Sequence, residues 1–225
     1  MRPVHRGAAP RMFIAYGDAL PELLARLGRF CSYCGRFVST GLAVEHKRPK
    51  TRYPGEQLLW TNFLLGCLNC NASKGHPRVT LTRYLWPDTD NTLRAFTYTG
   101  DGRIRAQRSM PKRLRRKANR TILLLGLDKY PGAFREPTDR DLRWSDRRME
   151  WAKASQCRAE LLLHDTPRQR DLIVMLAAQG IFSVWWTVFA SDVDMRRRLR
   201  QAFLGTCPNS FDANENLQPR PGGQL

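Results

Sequence analysis

The sequence predicts an α+β protein: a four-cysteine zinc site near the N-terminus, a small β-hairpin region after it, and a mostly helical C-terminal part. Three observations carry this. Two Cys-x-x-Cys pairs, Cys31/Cys34 and Cys67/Cys70, bracket short apolar runs at 42–44 and 63–65. Residues 93–98 alternate at period two, break at Gly100-Asp101-Gly102 and resume at Arg103, the pattern of a hairpin. From Leu127 onward, apolar runs set between cap residues and glycine stops read as helices.

Taken in order, residues 1–10 are extended, given Pro3, Gly7 and Pro10, and His5 is a surface residue. Asp18 can cap a helix that starts near Leu20, tolerates Pro21 in its first turn, buries Leu23, Leu24 and Leu27, and stops at Gly28. The first Cys-x-x-Cys turn follows, and the second completes a tetrahedral zinc site with four thiolate ligands, Cys31, Cys34, Cys67 and Cys70. Two disulfides would suit a small secreted domain, and no secretory signal is expected here. A redox pair would explain one motif and not two. Four thiolates leave the metal no open position, so this zinc is structural.

The residues between and just after the cysteines offer chemistry of a different kind. Hydrolysis of a phosphodiester needs a base for water and a cation for the charge on the leaving oxygen. His46 is the natural base, and Glu45 and Asn71 offer the oxygen donors that Mg²⁺ prefers. In a strand Glu45 and His46 would point to opposite faces, so a bend is expected at Lys47-Arg48-Pro49. Asn62 can fix the imidazole by accepting its Nδ1–H, which leaves Nε2 free for the proton. Lys74 is placed to contact a phosphate, and His76 is a further basic group nearby. Residues 47–57, with Lys47 and Arg48, could track a substrate backbone or form an ordinary exposed loop. A helix is expected to start near Asn71 and to end by Gly75.

Cys-x-x-Cys, Glu45-His46, Asn62 and Cys67-Leu-Asn-Cys70-Asn71-x-x-Lys74 together resemble the zinc-stabilised branch of the HNH endonucleases. The resemblance implies the ββα-metal fold, with His46 as general base, Asn62 as the residue that orients it, and Glu45 and Asn71 as ligands of a catalytic Mg²⁺ or Mn²⁺. Two positions depart from the common pattern: Glu45 stands where many members have Asp, and Asn71 where many have His. Flanking stretches, among them Met1–Val4, Tyr84–Asp88, Asp90–Thr92, Gly126–Asp128, Phe182–Trp185 and Arg220–Gly223, are similar to the HNH component of Septu anti-phage defence (PtuB), a family also found beside some retrons. That likeness implies a PtuA-like ATPase subunit as partner, and a retron reverse transcriptase with its RNA/DNA where one is present.

Beyond the motif, Asp88 and Asp90 could hold a metal, although such a cluster is more often a loop with side chain to backbone hydrogen bonds. Residues 103–120 hold nine basic residues and no acidic one. Within them Lys112, Arg113, Arg115, Arg116 and Lys117 start a helix that turns apolar at 122–125 and stops at Gly126, a candidate phosphate-binding face. Residues 139–164 read as one long helix, Thr166-Pro167 opens another, 181–190 is buried as helix or strand, and Asp192 caps a last helix. Trp185 and Trp186 read as core or interface, Cys157 and Cys207 as ordinary thiols, and 208–225 as an irregular tail. The expected organisation is an HNH nuclease module with its N-terminal helix over 1–80, the hairpin and basic segment over 81–125, and the helical region over 126–225.

A chain of 225 residues with net charge +18 can bury a sizeable core and favours polyanionic partners. Arginine dominates the cations, and its planar fork suits phosphate. The most apolar run, 181–190, is too short to span a membrane, and thiolate ligands favour a reducing compartment, so the cytoplasm is expected. No P-loop is present, so nucleotide control would come from outside. The sequence reading is a metal-dependent endonuclease, most simply of DNA. An RNA-cleaving toxin nuclease using the same site, or a non-catalytic zinc module that binds nucleic acid, would share most of these features.

Overall fold

A computed structural model describes all 225 residues. Near its centre lie two short antiparallel strands, β1 (Ala43–His46) and β2 (Phe63–Gly66), paired Ala43 to Gly66 through His46 to Phe63. Helix α2 (Leu68–Lys74) follows β2 at once, giving the ββα order of an HNH domain. Gly66 has a steric reason to be glycine: a Cβ there would lie 2.8 Å from the Cβ of Glu45. Helix α2 starts three residues before Asn71, because Cys67 is its extended N-cap and Cys70 lies one turn in. That spacing turns both thiols to one side. As expected, the helix is short and ends at Gly75.

Helix α1 (Leu20–Leu27) braces the strands with Leu23 and Leu27 fully buried. Strands β3 (Phe96–Tyr98) and β4 (Ile104–Ala106) form the second hairpin. Helix α3 (Lys112–Leu125) packs between β4 and α2 through Ala118, Ile122 and Leu125. It stops at Gly126, whose φ of 62° is left-handed and whose N–H closes on the carbonyls of Ile122 and Leu123.

The C-terminal region is helical: α4 (Arg143–Leu163), α5 (Pro167–Ala177), α6 (Phe182–Val188) and α7 (Val193–Ala202). The Thr166 side chain accepts from the Gln169 N–H, and Asp192 from that of Met195 at 2.9 Å, so these two helix starts are capped as expected. Asp18, by contrast, lies in the 3-10 turn Tyr16–Ala19, accepts from the Ala15 N–H at 3.1 Å and leaves the start of α1 without a side-chain cap. Helix α4 begins at Arg143 rather than Asp139, because Asp141 is held in the preceding turn by a salt bridge to Arg143 at 2.7 Å. Residues 208–225 are irregular but tied down. Asn91 donates to the carbonyls of Ser210 and Gln218 at 2.8 and 2.7 Å, and the Gln224 N–H donates to Asp90. The Asp/Asn cluster is thus a hydrogen-bonded loop.

Two apolar clusters hold the molecule together. The larger joins α1, both hairpins and α3 around Tyr33, Phe63, Leu65, Trp86 and Phe96. The smaller joins α4–α7 around Trp185, Phe182, Phe189 and Phe203, with Phe30 reaching into it. Trp185 and Trp186 are core residues. No helix is long and apolar enough to cross a membrane.

Candidate active site and zinc centre

The four cysteines converge. Their Sγ atoms all lie within 4.8 Å of one another, all are buried, and none is in a disulfide. Cys34 Sγ and Cys67 Sγ are 3.8 Å apart, which is about the edge of a tetrahedron with ~2.3 Å metal–sulfur bonds. The Cys67 N–H donates to Cys31 Sγ at 3.4 Å, as befits a thiolate acceptor. The donor set and its spacing fit a closed zinc site.

On the other side of α2 lies a cleft of about 210 Å³, lined by Tyr16, Glu45, His46, Lys50, Asn71, Lys74 and His76 among others. Glu45 and His46 share it because β1 ends at His46 and the chain bends at Lys47-Arg48. Asn71 reaches it from the first turn of α2. The sequence reading therefore placed Glu45, His46, Asn71, Lys74 and His76 in one neighbourhood, and the fold brings all five to one cleft.

His46 is held on three sides. Its ring packs edge-on against Phe63 and Tyr16, with centroids 5.2 and 5.1 Å away. Its Nε2 lies 2.9 Å from the Gln57 carbonyl. A carbonyl only accepts, so Nε2 carries the hydrogen and the lone pair of the neutral ring is on Nδ1. This inverts the expected assignment. Asn62 does not touch the imidazole. Its Oδ1 accepts from the Arg48 N–H at 2.8 Å, and its Nδ2 donates to the carbonyls of Arg48 and Glu56 at 3.0 and 3.1 Å. Asn62 thus pins the loop whose carbonyl holds the histidine, and orients it at one remove. Burial pushes the His46 pKa below its ordinary value; the Gln57 carbonyl opposes this, and the Lys50 and Lys74 ammonium groups add to it.

Glu45 is buried and paired with Lys74, Oε1 to Nζ at 2.7 Å. Burial raises its pKa despite that neighbour. Lys74, expected on a phosphate, is only 3% exposed and serves instead as the counter-ion of Glu45. Lys47 and Lys117 also leave the nucleic-acid set. Lys47 is buried on Asp88 at 2.6 Å, and Lys117 is buried and donates to Gln224. Arg48 is half-buried and paired with Glu56 at 2.5 Å. Lys112, Arg113, Arg115 and Arg116 are exposed along the first half of α3, in a segment without acidic residues. Two groups that touch His46 carry no signal in the sequence. Tyr16 comes from far upstream with no motif around it, and the Gln57 contribution is a backbone carbonyl, which no side-chain pattern can reveal.

Asp88 braces the turn after β1. One oxygen, Oδ2, takes both Arg6 at 2.7 Å and Lys47 at 2.6 Å, and Arg6 also donates to the carbonyls of Phe63 and Thr61. Burial alone would raise the Asp88 pKa, but the two cations hold it below the usual carboxylate value. Asp88→Asn leaves the buried Lys47 and the half-buried Arg6 without a counter-charge and is expected to cost about 3–5 kcal/mol. Urea denaturation of the two proteins checks this, and a loss below ~1 kcal/mol would show that the brace is dispensable.

Residues 31–76, which span both cysteine pairs, β1, β2 and α2, match the family described as HNH endonuclease. The chain therefore carries an HNH endonuclease domain there. No curated protein matches the chain.

Proposed function

We propose, from an HNH endonuclease domain whose cleft gathers Glu45, His46 and Asn71, that this protein is a metal-dependent endonuclease hydrolysing the phosphodiester bonds of nucleic acid, with DNA as its leading substrate. The carrying observation is the Nε2 to Gln57 contact of His46 inside that cleft. It fixes the tautomer and leaves Nδ1 to take a proton from water. The water oxygen then attacks phosphorus, the bond to the 3′ oxygen breaks, and that oxygen is protonated from solvent. The products are a 5′-phosphate and a 3′-hydroxyl.

Glu45 and Asn71 are the residues that would hold Mg²⁺ or Mn²⁺. Their hard oxygen donors suit such an ion, which needs few protein ligands because it keeps several waters. Bound there, the ion would neutralise charge on the phosphate and the leaving oxygen. Glu45 Oε1 already pairs with Lys74 Nζ, so with an ion bound the carboxylate would divide its charge between that ammonium and the ion. Lys50, with its ammonium 3.9 Å from the Tyr16 ring centroid, sits at the cleft and takes the phosphate-contact role first expected of Lys74.

The test is a cleavage assay with Mg²⁺ or Mn²⁺ on supercoiled plasmid, linear duplex and cellular RNA side by side. Nicking of plasmid is expected. No cleavage of any substrate by folded, zinc-loaded protein would remove the enzymatic reading, and cleavage of RNA alone would reassign the substrate.

The exposed face of α3 is the proposed substrate track, supported by the run of unopposed cations at Lys112, Arg113, Arg115 and Arg116. Replacing Arg113, Arg115 and Arg116 by Gln is expected to weaken binding and flatten its salt dependence by about one unit of slope per lost phosphate contact. Fluorescence anisotropy across a salt series measures it, and an unchanged slope would place the track elsewhere. A role in anti-phage defence under an ATPase partner, with or without a retron, is proposed from the flanking sequence resemblance alone. Co-purification with an ATPase encoded beside this chain is the check.

A further inference from the structure

A zinc ion on four thiolates carries a net charge of about −2, and this centre is buried. Such a charge needs donors and cations around it, and hydrogen bonds to ligand atoms orient and stabilise them. One side chain meets that need from outside the HNH domain. Arg143, the first residue of α4, is 3% exposed. Its Nη1 donates to Cys70 Sγ at 3.2 Å and to the Leu125 carbonyl at 2.7 Å. Its Nη2 donates to Ser73 Oγ and the Gly126 carbonyl, each at 3.1 Å. Asp141 fixes the fork, taking Nε and Nη2 at 2.7 Å each.

Cys70 and Ser73 lie about one turn apart on α2. Asn71 and Lys74, each the next residue along, line the cleft. Arg143 therefore grips the back of the helix whose front carries the candidate metal ligand and the partner of Glu45. It also takes two carbonyls at the end of α3 that the helix itself leaves free. The packing there is close: a Cβ on Gly126 would lie 2.8 Å from Ser73 Oγ and 3.3 Å from Arg143 Nη2.

We infer that Arg143 is a positioning residue of the zinc centre: it stabilises the Cys70 thiolate by an N–H···S hydrogen bond and, through Cys70 and Ser73, fixes α2 against the C-terminal helical region. The zinc centre is complete only when that region is docked.

The test uses the full chain and needs no nucleic acid, so its outcome is independent of whether the cleft cleaves anything. Zinc affinity is measured by competition with a chromophoric chelator, and the cobalt-substituted protein reports sulfur-to-metal charge transfer. Arg143→Gln is expected to bind zinc about 10–100-fold more weakly. Its charge-transfer band should move to lower energy, because a sulfur without the hydrogen bond gives up its electron more readily. Arg143→Lys keeps the charge but loses the fork, and should fall between the two. Arg147→Gln is the control. Arg147 is equally buried and close enough to Cys34 and Cys70 for its charge to be felt, but it donates to the carbonyls of Gly102 and Leu127 and to no sulfur, so its loss should move the band less than that of Arg143. A folded Arg143→Gln with unchanged affinity and band would overturn the inference. Should Arg143→Gln not fold, an Arg143→Lys protein with the wild-type band would do the same.

Discussion

His46→Ala is expected to lower cleavage by ~10²–10⁴-fold, the range for removing a general base, while zinc content and nucleic-acid binding hold. The ring packs against Phe63 and Tyr16 at one edge of the cleft, and none of the four clustered cysteines lines that cleft. Loss of the imidazole should therefore remove the proton acceptor without touching the four-cysteine site. Plasmid nicking rates, with anisotropy as the binding control, measure the split. Retained cleavage would exclude His46 as the base.

The pH profile follows from the same site. Protonated His46 cannot accept a proton, so the rate rises with pH through its pKa and then levels. Burial, with Lys50 and Lys74 nearby, sets that pKa below the ordinary value, which is about 6.5. The acid limb should therefore lie below that value, leaving the base neutral at physiological pH. Lys50→Met removes a positive charge that disfavours the imidazolium, and should move the limb upward.

Cys67→Ser is expected to cost the fold as well as the activity. Cys67 is both one of the four thiols whose spacing fits zinc and the N-cap from which α2 departs, and its N–H serves Cys31. Structural zinc contributes on the order of 10 kcal/mol or more to folding, comparable to the whole stability of a domain. The serine variant should therefore lose zinc and its cooperative melt together. Metal analysis and circular dichroism on one sample report both. A zinc-loaded, normally melting variant would remove Cys67 from the ligand set.

Much of this was legible in the sequence, for physical reasons that differ by residue. The cysteine pairs announce themselves because tetrahedral coordination restricts their spacing. Glu45, His46 and Asn71 stand at fixed offsets from those cysteines, so placing the zinc places the cleft. The caps at Thr166 and Asp192 are local chemistry and were readable as such. What was not legible is pairing over distance. Nothing near Lys74 shows that its ammonium is spent on Glu45, nor near Lys47 that Asp88 awaits it, so both read as surface cations. Asn62 misled for a subtler reason. Its amide has the groups to hold an imidazole, but the fold gives those groups to the backbone of Arg48 and Glu56.

The contact between His46 and Gln57 also shapes how this loop can vary among related chains. The acceptor is a peptide carbonyl, and the Gln57 side chain itself is exposed. Any amino acid except one that distorts the backbone supplies the same oxygen, so position 57 is free to drift in identity. The length of the segment from Lys47 to Asn62 is not free, because inserting or deleting one residue would slide a different carbonyl, or none, under the ring. What selection can act on here is an interval rather than a letter, and a comparison that scores residues column by column would pass over it.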